Sequence, residues 1–375
     1  MSGPRLPRRR VVLVAALAGV LLVGVAASVA ARPSSAPALA PISAERLIAS
    51  TLQALAQDPP VSGRLAAHLD LGIHALPHEG PAAVASGPAG ILASLTGNHR
   101  LRVWSSADGF RLADLLQASE RAIFISRTDA WAWDFDSFTA YHLGPLARDG
   151  RGSERRSDGT GLDLVDPMAL TRKALAAVTP STRVSVAGTA RVAGRDAYLL
   201  ALEPRTATTL VGRIDVAVDA ERRLPLRVAV IPRNRSAAAI SAEFTSVSFA
   251  AIDPSVYRFT PPPGAKVMEA SHQLGGEGAG KGQGIRGSAR EEYGLERNAE
   301  TGPRLFGHDW TTVVAVRAPS LAMLRSAGGG FDPTSLLPLS GPLLSIRLVD
   351  RGDHMWLVYG LVPQSALVAA ARELP

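Results

Sequence analysis

Residues 182–233 read TRVSVAGTARVAGRDAYLLALEPRTATTLVGRIDVAVDAERRLPLRVAVIPR, and residues 242–266, after a short polar gap, read AEFTSVSFAAIDPSVYRFTPPPGAK. Within them Val211, Arg213, Asp215 and Ala217 alternate with Ile214, Val216 and Val218. The polar residues 219–223 interrupt, and Leu224, Leu226, Val228 and Val230 resume the pattern. Period-two alternation broken by a polar turn predicts an antiparallel hairpin, dry on one face and wet on the other. A one-faced sheet covers its dry face with its own side chains, with helices or with a ligand, and the rest of the chain has to supply that cover.

Upstream, residues 43–57 place Leu47, Ile48, Leu52 and Leu55 on one helical face, with Ser43 as N-cap and Glu45 in the first turn. A strand is expected over 61–71, then a long Pro/Gly/Ala/Ser loop over 74–96. Strands over 100–104, 111–116, 121–127, 130–134 and 139–143 follow at hairpin spacing, with turn signals such as Asp108-Gly109 between them, and predict an antiparallel meander. Asp166-Pro167 opens a second helix, to about residue 178, with Leu170, Ala174, Leu175 and Val178 inward. Residues 270–302 are rich in glycine and poor in apolar residues and predict a flexible insertion. Strand patterning returns at 309–316, 343–349 and 354–361, with a short helix at 364–374. These last elements are expected to rejoin the same sheet.

Arg5, Arg8, Arg9 and Arg10 precede an apolar run at 11–31, and 32–42 change to a Pro/Ala/Ser-rich spacer. The run is an export signal cleaved near Ala30 or a retained anchor; its 21 residues exceed the usual signal core of about 7–15 and match the roughly 20 that cross a bilayer. Either way the arginines stay inside and the remainder is expected outside the cytoplasmic membrane. With no cysteine in 375 residues, disulfides and a lipid-modified cysteine are excluded. The net charge is +7 and the pI about 10.3. Without the four leader arginines the charge is +3. That is an ordinary surface balance, and nucleic acid is not an expected partner.

No sequence feature demands catalysis, a metal or a cofactor. Residues 275–281 mimic part of a phosphate-binding loop, but Gly282 stands where a magnesium-binding hydroxyl would, and no strand leads in. His68, His74 and His78 fall in or beside a proline-containing loop rather than on one helical face, so they read as solvated. Asp134 and Asp136 share a strand face as paired carboxylates do, yet sit where a turn favours Asp. Neither a Gly-x-Ser-x-Gly elbow nor a thiol is present. Arg351-Gly352-Asp353 reads as a hairpin turn. Trp131, Trp133 and Phe135 alternate along one strand, with Phe124 and Trp104 on its neighbours. They are either packed core or the wall of an apolar cavity, and the two readings predict the same sequence.

The export segment followed by a helix, LRVW at 101–104, AWAWD at 130–134, VAGRDAY at 192–198, IDVAVD at 214–219, LPLRV at 224–228, FTSVSF at 244–249 and FTPPPG at 259–264 together resemble the LolA-like family of exported lipoprotein and lipid carriers. The resemblance covers about 43–269, with WTTVV at 310–314 as a family-like C-terminal end. It implies a mainly β (α+β) fold: a curved, half-open antiparallel β-barrel with helices over its concave face, around an apolar cavity. It implies an exported, non-enzymatic carrier of lipid or of lipoprotein acyl chains at the cytoplasmic membrane. Trp104, Phe124, Trp131, Trp133, Phe135, Leu52 and Leu175 are the expected cavity wall. The RseB envelope-stress regulators use a similar domain, which implies the alternative of a sensor docked on a membrane protein such as an anti-sigma factor.

Overall fold

The computed structural model describes residues 36–70, 72, 96–115, 120–142, 166–176, 178–269, 303–318, 338–352 and 354–375. Met1–Pro37 and Ala38–Pro375 are separate units, and the second carries every element below. The apolar run at 11–31, the loop histidines His74 and His78 and the glycine-rich 270–302 lie outside the described residues. Among the described residues no helix is long and apolar enough to cross a membrane.

Strands β1 (Val61–Leu69), β2 (Gly97–Ser106), β3 (Gly109–Leu115), β4 (Glu120–Ile125), β5 (Ala130–Asp134) and β6 (Thr139–His142) form one antiparallel meander. A second comprises β7 (Thr182–Val192), β8 (Arg195–Pro204), β9 (Val211–Asp219), β10 (Pro225–Pro232) and β11 (Ile240–Ser248). Antiparallel pairing of β1 with β11 fuses the two. β12 (Lys266–Glu269) pairs parallel with β6, giving twelve strands in the order β12-β6-β5-β4-β3-β2-β1-β11-β10-β9-β8-β7. The sheet keeps two edges and is not a closed barrel. It nevertheless curls, since β7 comes within 8 Å of β11 across three intervening strands.

At the seam the β1–β11 register shifts between Arg64 and Leu65, and Gly63 beside the shift has no room for a side chain: a Cβ there would stand 2.1 Å from the Ser246 carbonyl oxygen.

Helices α1 (Ala44–Ala56) and α2 (Pro167–Ala176) supply the cover that the first hairpin demanded. The Ser43 side chain caps α1 by accepting from the Arg46 amide at 3.2 Å, and buried Asp166 accepts from the Met168 amide at 2.9 Å to start α2. α2 packs on β10, and α1 lies against α2 and β7. Leu47 and Leu55 of α1 and Leu170, Ala174 and Leu175 of α2 join Leu200, Leu202, Val216, Leu226 and Val228 in the main core. The fold is therefore the expected one: mainly β, a large open antiparallel sheet with helices on its inner face.

The C-terminal elements differ from expectation. β13 (Arg304–Phe306), β14 (Val313–Ala318), β15 (Leu339–Ser340), β16 (Ser345–Asp350) and β17 (Met355–Gly360) form their own five-stranded sheet, in the order β13-β14-β17-β16-β15, instead of completing the large one. The reason is a second cover: α3 (Gln364–Arg372) buries Leu367 and Ala370 against Val313, Ala315, Trp356 and Val358, so these strands satisfy their dry face locally. Arg351 in the β16–β17 turn donates to the carbonyls of Ala371, Leu374 and Pro375, closing the C-terminal end of α3. Several links tie this sheet to the large one, among them Leu343 of the β15–β16 connection, which is buried in the main core. The Leu361 carbonyl accepts from the Leu210 amide and the Thr209 hydroxyl, both at 2.8 Å, and Trp310 enters the main core while donating to Thr182 Oγ1 at 2.8 Å.

Candidate functional site

Cross-strand register fixes which side chains share the inner face. The row through Leu200, Val216, Val228, Ala242 and Ala67 continues to His99, and Leu65 pairs with Leu101. Leu101 and Val103 on β2, Phe110 and Leu112 on β3, Ile125 on β4 and Ala130 on β5 all belong to the same buried cluster as the helices. The inner face is thus one apolar wall from β8 to β5.

At one end of strands β2–β5 the wall turns polar, along the row Leu101, Asp114, Arg121 and Asp134 and at His99 beyond it. His99 Nδ1 is 2.7 Å from Asp114 Oδ2, with both side chains largely buried, and His99 Nε2 is 3.4 Å from the Thr96 carbonyl. Arg121 Nε lies 3.2 Å from Asp134 and its Nη2 lies 3.7 Å from Asp136. Tyr141 stands in the next row, its hydroxyl pKa pushed up by burial and by the Asp134 charge. The sequence singles out Asp134 and Asp136, whereas His99, Asp114, Arg121 and Tyr141 go unrecognised there because each is unremarkable alone; the one legible signal for them is the odd-numbered alternation 99, 101, 103 on β2.

The expected cavity wall is redistributed. Trp104, Phe124, Trp131 and Trp133 occupy the opposite, outer face, because Trp104, Arg111, Phe124, Trp131 and His142 form a continuous cross-strand row one residue out of phase with Leu101, Leu112 and Ile125. There Phe259, from the segment that follows β11, lies 4.8 Å from Phe124, 5.7 Å from Trp133 and 5.8 Å from Trp131, ring centre to ring centre. These aromatics form a satellite core with Ala113, Ala122 and Ala140. Phe135 is not in the strand: it opens the β5–β6 turn and is 50% exposed. Leu52 is 42% exposed, because α1 buries Leu47, Thr51 and Leu55 and leaves Leu52 at the edge of its apolar stripe. Of the seven, Leu175 alone stands buried on the inner side.

The outer face also holds a charge relay. His142 Nε2 is 2.7 Å from Asp129 Oδ1 and its Nδ1 is 2.8 Å from Glu269 on β12, while Trp131 stacks on its ring and donates to Asp129 Oδ2 at 2.7 Å. The hydrogen bond to Asp129 raises the His142 pKa against the opposing effect of burial, and Glu269 adds to the rise. On the other half of the sheet, Asp219 is fully buried, which pushes its carboxyl up. The Arg195 guanidinium and the amides of Arg222 and Glu221 outweigh that and hold it below the usual value.

Chemically these groups are occupied. His99 has a partner at both ring nitrogens, and Asp134 faces Arg121 and accepts from the Ser137 amide at 3.1 Å, so its aspartate is used by the turn. Among the described residues no three His, Cys, Asp or Glu side chains converge as metal ligands.

No family model matches the chain, and no curated protein matches it. Among solved structures it is similar to the MucA/MucB complex of Pseudomonas aeruginosa, at 14% identity over 86% of this chain and 96% of that chain, with a TM-score of 0.40. It is also similar to a LolA superfamily protein of Nitrosomonas europaea, at 10% identity over 58% of this chain and 99% of that one, with a TM-score of 0.22. A putative outer membrane lipoprotein-sorting protein domain from Vibrio parahaemolyticus is similar at 10% identity, over 57% and 97%, with a TM-score of 0.23. Likeness at this level concerns fold alone and transfers no residue role.

Proposed function

We propose that the domain is an exported, non-enzymatic binder of acyl chains at the cell envelope, taking a lipid or the lipid part of a lipoprotein against its inner wall. The observation that supports this reading is the gradient along that wall. Leu101, Val103, Phe110, Leu112 and Ile125 are apolar, and His99–Asp114 and Arg121–Asp134 follow at one end of strands β2–β5. An amphipathic lipid needs that sequence of surfaces: methylenes gain about 0.8 kcal/mol each on burial, while a headgroup has to keep hydrogen-bonding partners. The helices α1 and α2 cover the wall over β7 and β10, so entry is expected at the β2–β6 side. The outer-face aromatics have no part in it.

The test is organic extraction of the purified full chain followed by mass spectrometry. Lipid in near-stoichiometric amount, reduced when Leu112→Trp fills the wall, supports the reading; an experimentally determined apo structure with a fully packed interior overturns it. A second reading, a regulatory module docked on a membrane protein, draws on the five-stranded sheet, which has its own small core. Capture of one membrane protein that depends on residues 303–375 supports it.

A further inference from the structure

Arginines on the outer face of the large sheet are treated differently along its width. On β9 and β10, Arg213 pairs with Asp215 at 2.8 Å and Arg227 with Glu243 at 4.0 Å. On β1 and β2, Arg64, Arg100 and Arg102 are exposed and have no carboxylate partner among the described residues. Arg64 and Arg102 stand directly opposite each other in the register, and Arg100 is one outward position along from Arg102. Like charges directly opposite destabilise a sheet, and among the described residues stacking on Trp104 gives Arg102, but neither Arg64 nor Arg100, a compensating contact within the fold. Beside them Arg102 and Arg111 each place a guanidinium 4.8 Å from the centre of the Trp104 ring, Arg111 reaches Glu120 at 3.3 Å, and Glu243, paired with Arg227, stands opposite Ala66 at the β11 border of the patch. Further along the same face Phe138, edge-on to Trp133, is 39% exposed, and Val267, opposite Ala140, is 49% exposed.

We propose that this outer face of β1–β3 is a docking surface for an anionic phospholipid membrane, with Arg64, Arg100 and Arg102 on the lipid phosphates. A guanidinium matches a phosphate with two parallel N–H donors and sheds water readily, which suits arginine rather than lysine. Charges spread over adjacent strands fit an array of headgroups, and half-exposed apolar side chains on the same face suit the interfacial layer behind them. An acidic polypeptide is the alternative occupant, and the polyglutamate arm of the test distinguishes it. The contact is separate from any anchoring by residues 11–31 and does not depend on acyl-chain binding by the inner wall.

The chain has no cysteine, so single-cysteine labels are clean. Full-length chain carrying Ala66→Cys, an exposed site between Arg100 and the β11 strand, is labelled and reconstituted in vesicles of phosphatidylcholine with or without phosphatidylglycerol. Ser185→Cys, exposed on distant β7, is the control. The label at 66 should be shielded from an aqueous quencher only on anionic vesicles and released by salt, while the label at 185 stays open. Each Arg→Gln change at 64, 100 or 102 should shift the ratio of shielded to open forms on the order of fivefold. The thermal midpoint of Arg64→Gln should be unchanged or raised, because the clash with Arg102 is relieved while the contact of Arg102 with Trp104 stays. Equal shielding on neutral vesicles, none on anionic ones, or protection by polyglutamate but not by vesicles overturns the proposal. So does a lowered midpoint that accompanies loss of shielding, which would assign the arginines to the fold. Where one of these variants does not fold, Arg64→Gln alone and salt titration of the otherwise unaltered chain support or overturn the proposal by the same readings.

Discussion

On β8–β10 the bulk of the sheet lies inside: Leu200, Leu202, Val216 and Leu226 are fully buried under the helices, and the opposite face carries Ala197, Ala201, Ala217 and Ala229 beside paired charges. On β4–β6 the bulk lies outside. Phe124, Trp131 and Trp133 are packed by Phe259, whereas the inner face has Ala130 and Ala132, then Arg121 and Asp134. One sheet, one alternation, and two opposite placements of volume: what decides is which segment comes back over which face. Helices cover the inner face at one end, and the proline-rich segment after β11 covers the outer face at the other. On the proposed function, the wall thinned to Ala130 and Ala132 on β5 is where an acyl chain would find room.

The comparison can be broken at its strongest point by Leu226→Ala. The site is fully closed, so the loss should be about 3 kcal/mol in a denaturant titration, with little change in co-purified lipid. Leu112→Ala, on the thinner side of the wall, should cost less and change lipid content more. Asp219→Ala strands Arg195 and two turn amides and should lose about 2 kcal/mol; a neutral result would remove the buried pair from the account of why β8 and β9 hold together. Phe259→Ala should cost about 1–2 kcal/mol and leave lipid binding intact, since it touches the outer face alone. Lost lipid binding would reverse the assignment of the aromatics.

The smallest effect should be a pH slope from His142. Its pKa is raised in the folded chain, so the stabilisation is fully present below the unfolded value of 6.5 and is lost as pH climbs through the higher folded value. Denaturation midpoints across that window should fall for the native chain and flatten for His142→Gln. An unchanged slope would mean that the bonds of His142 to Asp129 and Glu269 do not stabilise the fold.

Much of this was legible from residues. The hairpin at 211–231, the meander of five spaced strands, the Ser43 and Asp166 caps and the one-faced helices all follow from periodicity and capping chemistry, which act over a few residues. The site was legible only in part. Leu175 falls on the inner side because it lies on the α2 stripe, but Trp131 and Trp133 could be placed on a common face without saying which face. The polar end of the wall needed the register: His99 meets Asp114 only through the pairing of β2 with β3, fifteen residues apart in the chain.

By itself the sequence determined the strands, the helices, the wet and dry sides of each, the absence of disulfides and an apolar run of membrane-spanning length. Those properties depend on local alternation and composition. Tertiary structure alone decided that β1 joins β11, that the C-terminal strands form a sheet of their own under α3, and that the large aromatics face away from the helices. Each of these is a choice between faces or edges that are equivalent in pattern. It is settled by which distant segment buries the most apolar surface there, and that quantity is not written in any short stretch of chain.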